Sequence, residues 1–394
     1  MSGNVVSLIG LWVQRLAVGW LAWDLTQSGF WVGAVAFGDL FPVVLLGPFG
    51  GVLADRIDRR FIVFGSHILV LIEACALCAL TALGHITIEL LFYLTLFRGC
   101  VVGIHQPARL ALVPALVRDE DVVTAFAINS VTFNLARFIG PAVAGVIITH
   151  FGVPHAFAVN AASYVVMIVA LLCLRLSRQE FKESSGQGVF TQIAEGVRYA
   201  AGHPAIGPLL LVLVAIAFFA RPILELLPGF AGAVFDRGPG GLSILTSSAG
   251  LGAVVGGLWL AQRGRIEGLT GITLVSVVLS GVSVGVFAST QNFAFGVAAL
   301  TIAAFAMVVV GIGTQTLIQN VVEDGMRGRV LSFWGLVLRG GPAVGAVAMG
   351  TMSEFVGFGP PLAVGGGLCL LSGLYALRAR AQLAAHVAES AGQN

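Results

Sequence analysis

The sequence predicts an all-α membrane protein with twelve transmembrane helices in two six-helix halves. Of the 394 residues, 57% are hydrophobic and 10% are charged, whereas about a quarter of a typical soluble protein is charged. Apolar runs long enough to cross a bilayer alternate with short polar breaks along the whole chain. A glycine–proline motif also recurs in the second part of the chain. This composition excludes a soluble globular domain, a disordered chain and a nucleic-acid binder with a basic face.

The positions of the polar breaks predict twelve spans, which must be helical because lipid cannot satisfy unpaired backbone groups. In chain order they cover residues 5–24, 30–54, 61–84, 88–112, 124–149, 154–176, 205–234, 241–262, 268–288, 292–318, 329–353 and 360–379. A polar turn at Gln27 separates the first two spans. Charged segments at 55–60 and 118–121 end the second and fourth.

The distribution of basic residues predicts which side of the membrane each loop faces. With the N-terminus in the cytoplasm, the outside loops hold only Arg237. Cytoplasmic loops of membrane proteins are enriched in basic residues, so we expect both termini to be cytoplasmic in a bacterial-type inner membrane. The inside loops then hold Arg56, Arg59, Arg60, Arg109, Arg118, Arg175, Arg178, Lys182, Arg198, Arg263, Arg265, Arg327, Arg329, Arg378 and Arg380.

The longest polar break divides the chain into two halves. It holds a serine- and glycine-rich segment and an amphipathic stretch at 190–199, which we expect to lie on the bilayer as a surface helix. The predicted organisation is an N-terminal six-helix half at 1–176, a linker at 177–204, a C-terminal six-helix half at 205–380 and a cytoplasmic tail at 381–394.

A short internal repeat supports this division. The sequence Gly-Pro-Ala-Val occurs in span five and again in span eleven, each time preceded by an arginine. The residues are Arg137, Gly140 and Pro141 in the first copy and Arg339, Gly341 and Pro342 in the second. Duplicated halves are common in transporters. Because proline bends a helix and small residues permit close packing, these segments are either pliable gate helices or ordinary packing interfaces.

The break between spans two and three carries a motif with a recognisable spacing. Its residues 51–60 read GVLADRIDRR, which resembles motif A of the major facilitator superfamily in its usual place. We expect Gly51 to let another helix approach, and Asp55 to accept hydrogen bonds or to pair an arginine. Asp58 stands where the family motif has glycine. The resemblance makes Gly51, Asp55, Arg56, Arg59 and Arg60 candidates for a cytoplasmic gate.

Other motifs are similar to one branch of that superfamily, the branch that holds enterobactin exporters and macrolide-efflux proteins. They include Trp12-x-Gln14-Arg15 in span one, Pro107-Ala108-Arg109 in span four and Arg327-Gly328-Arg329-Val330 near span eleven. The resemblance covers nearly the whole chain. It implies the major facilitator fold, alternating access around a cavity lined by spans one, four, seven and ten, and export of an amphipathic drug or siderophore.

Charged residues inside the spans are candidates for the cavity or for ion coupling, because each costs about 2.5–3.5 kcal/mol at a helix centre. They are Arg15, Asp39, Glu73, Arg98, Arg221 and Glu225. Arg221 and Glu225 are four residues apart and could neutralise each other. Pro222 and Pro228 interrupt the same helix, which favours a cavity-lining span. Each charge belongs either to a structural ion pair or to a substrate or proton site.

Four of these charges fall at one predicted depth. Arg15 and Asp39 lie equally far on either side of the turn at Gln27, and Glu73 and Arg98 lie similarly far from the next outside turn. At 1.5 Å per residue, all four lie about 12–18 Å below the outer surface. We therefore predict a midplane polar layer in which Arg98 reaches Asp39 or Glu73, with Arg15 nearby.

The expected activity is secondary active transport, most simply by proton antiport. No segment matches the phosphate-binding loop of ATPases, so we expect an ion gradient to supply the energy. The expected partners are a small-molecule substrate, protons and membrane lipid, without nucleic acid, cofactor or metal, and the chain is expected to be a monomer. Uptake or facilitated transport in the same superfamily is an alternative. A multispan membrane enzyme or a transport-silent sensor is a more remote one.

Overall fold

A computed structural model of the chain describes residues 2–115, 117–173, 189–265, 267–378 and 385. These residues form fourteen α-helices. Twelve helical segments are long and apolar enough to cross a membrane, and one of these segments contains more than one helix. The predicted all-α fold with twelve spans is confirmed. Several positions discussed above lie outside the described residues, namely Arg175, Arg178, Lys182, Arg380 and the tail 381–394 apart from Ala385.

The first six spans are single helices: α1 (Ser2–Thr26), α2 (Gly29–Arg56), α3 (Arg59–Ala82), α4 (Ile88–Ala115), α5 (Val122–Phe151) and α6 (Val153–Leu172). A 3₁₀ turn at Asp119–Asp121 precedes α5, and α7 (Val189–Gly202) follows α6. The later helices are α8 (Ile206–Ala215), α9 (Ile223–Gly229), α10 (Gly238–Arg263), α11 (Leu269–Ser289), α12 (Phe293–Val321), α13 (Asp324–Val356) and α14 (Gly359–Arg378).

Several arginines that the sequence assigned to inside loops lie in helices, and three of them, in α4 and α13, lie at least three residues from the helix end. Arg109 is in α4, whose internal Pro107 does not end the helix. Arg327 and Arg329 are in α13, which begins at Asp324 rather than at residue 329. The early start has a physical reason, because an acidic residue in the first turn complements the helix dipole. Asp324 also pairs with Arg327 at 2.9 Å, one helical turn away.

Span seven, Ile206–Val234, is not a continuous α-helix. A π-helical segment at Ile216–Ala220 separates α8 from α9, and a second at Phe230–Val234 follows α9. Pro222 lies just after the first segment and Pro228 just before the second. Proline has no N–H for the α-helical ladder, and π segments are frequent at functional sites. The predicted interruption of this helix is therefore confirmed.

The described residues group into two compact units. Unit 1 comprises those within Met1–Ser185 and Leu227–Ser247, and unit 2 those within Gly186–Leu226 and Ser248–Asn394. In unit 1, α2 packs on α4, while α6 packs on α1 and α3. In unit 2, α11 packs on α12 and α14. The division into functional halves at 1–176 and 205–380 stays a prediction.

Corresponding turns in the two sets of six spans share an unusual backbone geometry. Gly152 ends α5 with a φ of 89°, and Gly357 ends α13 with a φ of 76°. Among the described non-glycine residues, positive φ occurs at Gln27 (51°) after span one and at Asp236 (49°) after span seven. Because such angles are uncommon outside glycine, their recurrence at matching places supports an internal duplication.

The amphipathic stretch of the linker forms α7, which packs against α13 within unit 2. Glu195 Oε2 lies 3.0 Å from Arg329 Nη1. A Cβ on Gly196 would lie 2.8 Å from the backbone of Arg329, so this glycine permits the contact. A position of α7 on the bilayer surface stays a prediction.

A glycine sets a close contact between two helices of unit 2. A Cβ on Gly281 of α11 would lie 2.6 Å from the backbone nitrogen of Leu370 and 2.7 Å from the carbonyl oxygen of Gly366, both in α14. A Cβ on Gly285, one turn later on α11, would meet nothing within 4 Å. The two helices therefore touch backbone to backbone at Gly281, as small residues allow in membranes.

We predict that Gly281→Ala lowers the stability of the purified protein by about 1–3 kcal/mol, because the new methyl group forces α11 and α14 apart. The matched control is Gly285→Ala, where alanine should be neutral or stabilising by up to about 1 kcal/mol through its better helix propensity. Thermal unfolding in detergent measures both. Equal midpoints for the two variants would contradict the proposed contact.

Candidate functional site

The centre of unit 1 holds an ion pair between Arg98 of α4 and Asp39 of α2. Their side chains are 4% and 13% exposed. Arg15 of α1 approaches the other oxygen of the same carboxylate, with Nε 3.8 Å from Oδ2. Two guanidinium groups from two helices thus share one carboxylate. The predicted proximity of Arg98 to an acid is confirmed, with Asp39 as the acid and Arg15 beside it.

Glycines next to both members of the pair bring α2 and α4 together. Gly38 precedes Asp39 and Gly99 follows Arg98. A Cβ on Gly99 would collide with the carbonyl oxygen of Gly38, so α4 does not tolerate a larger residue at Gly99. A Cβ on Gly38 would make only ordinary contacts, the nearest to Phe92 at 3.4 Å. The ion pair therefore forms where the two backbones touch, and the short aspartate side chain can reach across. Sequence reasoning missed these glycines, although each stands directly beside an intramembrane charge.

The second acid, Glu73 of α3, is held by an amide. Gln14 Nε2 of α1 donates to both carboxylate oxygens at 3.0 Å. Asn160 Nδ2 of α6 donates in turn to Gln14 Oε1 at 2.5 Å, and Ser163 Oγ donates to Asn160 Oδ1 at 3.0 Å. Glu73 is 1% exposed, and Gln14 and Asn160 are fully buried. This chain of hydrogen bonds joins three helices.

Glu73 and Asp39 therefore have different partners. Among the described residues, no arginine lies within 4 Å of the Glu73 carboxylate. The four charges therefore form one ion triad and one neighbouring acid that an amide binds, and their depth in the membrane stays a prediction. Gln14 and Arg15 are adjacent in α1 and each reaches one acid. Sequence reasoning missed Gln14 and Asn160, although an amide next to an intramembrane arginine is a usable signal.

The candidate gate residues of span five contact α1. Trp12 lies between two arginines, with the Arg15 guanidinium 5.3 Å and the Arg137 guanidinium 5.7 Å from its ring centre, within reach of cation–π attraction. A Cβ on Gly140 would collide with Trp12. The carbonyl oxygen of Pro141 accepts a hydrogen bond from Ser243 Oγ at 2.8 Å. This hydrogen bond links α5 to Ser243 of α10.

The repeated motif in α13 lies in unit 2. A Cβ on Gly341 would lie 2.7 Å from the Cβ of Ala217, in the first π segment of span seven. Pro342 is buried beside it, and Arg339 is exposed. Arg221 and Glu225 are both half-buried and flank Pro222 in the same span. The structure therefore places Gly341 against the irregular part of span seven, close in sequence to both charges.

The motif at residues 51–60 forms the junction between α2 and α3. Asp55 Oδ1 lies 4.0 Å from Arg59 Nη2, and Arg59 also donates to the carbonyl oxygens of Ala54 at 3.3 Å and Ala111 at 3.2 Å. Asp58 caps α3 by accepting from the Arg60 N–H at 2.9 Å. Its φ of −54° is ordinary, so this turn does not need the family's glycine. Arg56 is exposed.

One expectation for this motif is wrong. A Cβ on Gly51 would meet nothing within 4 Å among the described atoms, so Gly51 does not mediate a close helix approach here. The preceding Gly50 does, because its Cβ would lie 2.6 Å from the carbonyl oxygen of Ile104. A helix presents neighbouring residues about 100° apart, and the face toward α4 falls on residue 50.

Comparison with known proteins identifies the family. Residues 2–392 match the family described as transmembrane secretion effector. The chain belongs to this family. It is therefore a membrane transporter of the major facilitator superfamily with a small-molecule substrate, and not an enzyme. The resemblance predicted from the motifs is confirmed.

Curated relatives of this secretion effector are bacterial transporters. The enterobactin exporter EntS of Salmonella choleraesuis is 26% identical over 89% of this chain and 84% of its own length. The staphyloferrin A transporter of Staphylococcus aureus is 24% identical over 90% and 89%. Macrolide efflux protein A of Streptococcus pyogenes is 22% identical over 90% and 89%. With the twelve apolar helices, these relatives support a multi-pass inner-membrane protein.

Solved structures share the fold of this secretion effector at low identity. A crystal structure of the peptide transporter POT superposes with a TM-score of 0.78 at 14% identity, covering 98% of this chain and 94% of the other. The nucleoside transporter NupG superposes with a TM-score of 0.66 at 15% identity, covering 98% and 99%. The predicted major facilitator fold is confirmed.

We predict that Asp39→Asn destabilises the protein more than the double variant Asp39→Asn/Arg98→Gln. Removing one member of a buried pair costs about 3–5 kcal/mol, because it leaves the other charge uncompensated. Arg98→Gln alone should be milder than Asp39→Asn, since Arg15 still faces Asp39. Thermal unfolding of the purified single and double variants in detergent measures the order. Additive losses in the double variant would contradict a direct charge pair.

Proposed function

We propose that this secretion effector exports a small amphipathic molecule of the siderophore or drug class in exchange for protons, by alternating access. The substrate class rests on the curated relatives, which are named for enterobactin, staphyloferrin A and macrolides. The observation that carries proton coupling is Glu73, a fully buried acid whose partner is a neutral amide. The termini are proposed to face the cytoplasm because basic residues concentrate on that side.

The hydrogen bonds around Glu73 favour its ionised form, because protonation would leave only one oxygen free to accept from Gln14 in the same way. A carboxylate accepts hydrogen bonds, and the Gln14 amide donates to both of its oxygens. A protonated Glu73 would present an O–H that this amide nitrogen cannot accept. Rotating the Gln14 amide to offer its oxygen would turn its N–H groups toward the Asn160 donor. Proton binding therefore disturbs the hydrogen bonds that link α1, α3 and α6. This link would have two states, one with Glu73 ionised and one with Glu73 protonated.

The neighbouring ion triad of Asp39, Arg98 and Arg15 is proposed to support the fold by compensating the two arginine charges. Asp39 faces the guanidinium groups of Arg98 and Arg15, so protonating it would leave two arginines without their carboxylate. An ion gradient acts most easily on the acid whose protonation leaves no charge stranded. Glu73 meets this condition, and Asp39 keeps the arginines compensated. Arg221 and Glu225, which flank the irregular part of span seven, are the proposed substrate or coupling candidates of unit 2.

The motif at residues 51–60 is proposed as the cytoplasmic gate. Asp55 is half-exposed at the end of α2, and its side chain makes a long contact to Arg59. Surface pairs of this kind contribute little to stability. The charge is thus available to hold one conformation closed without being needed to build the fold.

The proposed activity is tested in proteoliposomes with a substrate found by thermal-shift screening of siderophores, macrolides and dyes, since a ligand of the folded state raises stability. We predict that an imposed pH gradient drives accumulation of this substrate and that a protonophore abolishes it. A sodium gradient at equal pH on both sides should give no accumulation. Accumulation that survives full collapse of the proton gradient would refute antiport.

We predict that Glu73→Gln retains substrate exchange but loses pH-driven accumulation, because glutamine keeps the shape and cannot bind the proton. The control is Glu89→Gln, which removes an exposed acid at the start of α4. Exchange of labelled for unlabelled substrate, and uptake under a pH gradient, are measured on the same vesicles. Normal pH-driven accumulation by Glu73→Gln would remove this residue from the coupling role.

We predict that Asp55→Asn reduces the transport rate at least fivefold while expression and the melting temperature stay near wild type. The physical reason is that the charge biases a conformational equilibrium and contributes little to the fold. Asp121→Asn, an exposed aspartate whose side chain makes no capping bond to α5, serves as the control. A wild-type rate for Asp55→Asn would show that this loop is not a gate.

A further inference from the structure

A second polar region of unit 1 lies apart from the charged network. Helices α1, α3, α4 and α6 enclose a cavity of about 70 Å³. Its polar lining includes Asn4, His67, His105, Gln106 and Arg109. His67 lies nearly two turns before Glu73 in α3, and His105 lies nearly two turns after Arg98 in α4. The cavity is therefore about 10 Å along the helices from the Glu73 carboxylate and the Arg98 ion pair. The volume suits a few water molecules or one small anion.

The charged group of this cavity has no acidic partner. Arg109 Nη2 donates to Asn4 Oδ1 at 3.3 Å. Among the described residues, no aspartate or glutamate lies within ion-pair distance of Arg109, and none lines the cavity. A guanidinium packed among apolar helices without a counter-charge is costly. The positive charge of Arg109 therefore lacks a negative partner among the described residues.

Of the two histidines in this region, His105 can add a hydrogen-bond donor to the same space. Their rings pack edge to face with centres 5.1 Å apart. His67 Nδ1 lies 2.7 Å from the carbonyl oxygen of Val63 and must donate to it. His105 Nε2 is buried and has no hydrogen-bond partner among the described residues. A buried nitrogen without a partner indicates that something else occupies the adjacent space.

We propose that this cavity binds a small monovalent anion, either a free ion such as chloride or the carboxylate group of a larger molecule. The Arg109 guanidinium supplies the counter-charge. His105 Nε2–H and the side-chain amides of Asn4 and Gln106 supply neutral donors. This donor set without a carboxylate matches an anion and repels a cation. The site is independent of proton coupling at Glu73 and does not require it.

The test is thermal unfolding of the purified full-length protein in detergent. Sodium gluconate, whose anion is too large for the cavity, is replaced stepwise by sodium chloride or sodium formate at constant ionic strength. Chloride or formate should raise the melting temperature along a saturable curve, because a ligand of the folded state stabilises it. An identical melting temperature in all three salts would overturn the proposal.

The variant Arg109→Gln should weaken the binding of chloride or formate at least tenfold. Arg118→Gln is the matched control, since it removes the same charge from a side chain that is 84% exposed in the neighbouring loop. It should bind as the wild type does. If Arg109→Gln does not fold, His105→Phe removes one donor at similar volume and should also weaken binding. Unchanged binding in every folded cavity variant would overturn the site.

Longer carboxylates distinguish the two sources of the anion. Hexanoate that binds more tightly than acetate would assign the site to the carboxylate of an amphipathic molecule. Chloride and formate that bind while hexanoate does not would assign it to a free ion. Both results support an anion site. Small and equal shifts of the melting temperature with every salt, in the wild type and in Arg109→Gln alike, would contradict it.

Discussion

The energetic cost of charge in an apolar helix bundle is the constraint on which unit 1 depends. Each arginine and acid in its interior must find a partner within the bundle. The structure meets this need in two ways: one carboxylate compensates two guanidinium groups at Asp39, and an amide stabilises the carboxylate of Glu73. Arg109 donates to the Asn4 amide oxygen but has no carboxylate partner among the described residues, which is why we propose a ligand for its cavity.

Helix packing decides whether these partners can meet. The Asp39–Arg98 pair forms because Gly99 of α4 lets its helix touch the backbone of α2 at Gly38. Glu73 meets its partner because α1, α3 and α6 converge on Gln14 and Asn160. A shift of any of these helices by one ångström or two would change the hydrogen bonds of a buried acid. In the proposed antiport, this geometry would link proton binding at Glu73 to helix movement.

Composition and periodicity were sufficient to predict the twelve spans, and depth along the spans was sufficient to predict that Arg98 meets an acid. They did not distinguish Asp39 from Glu73, because both lie at the same depth and the choice depends on helix rotation. Gln14 and Asn160 were missed because neutral amides carry no charge signal. Gly51 was misassigned because a one-residue change in helix phase moved the contact to Gly50. Arg109 was counted with the inside loops because it lies near the cytoplasmic end predicted for span four, whereas α4 continues to Ala115.

The central claim is that Glu73 binds the transported proton, and infrared difference spectroscopy of the purified protein tests it most directly. Titration from alkaline to acidic pH should produce a C=O stretching band of a protonated carboxyl group in a buried setting, shifted in heavy water. The account predicts that this band is absent in Glu73→Gln and present in Glu89→Gln. A band that persists in Glu73→Gln and disappears in Asp39→Asn would contradict it and assign the proton to the triad.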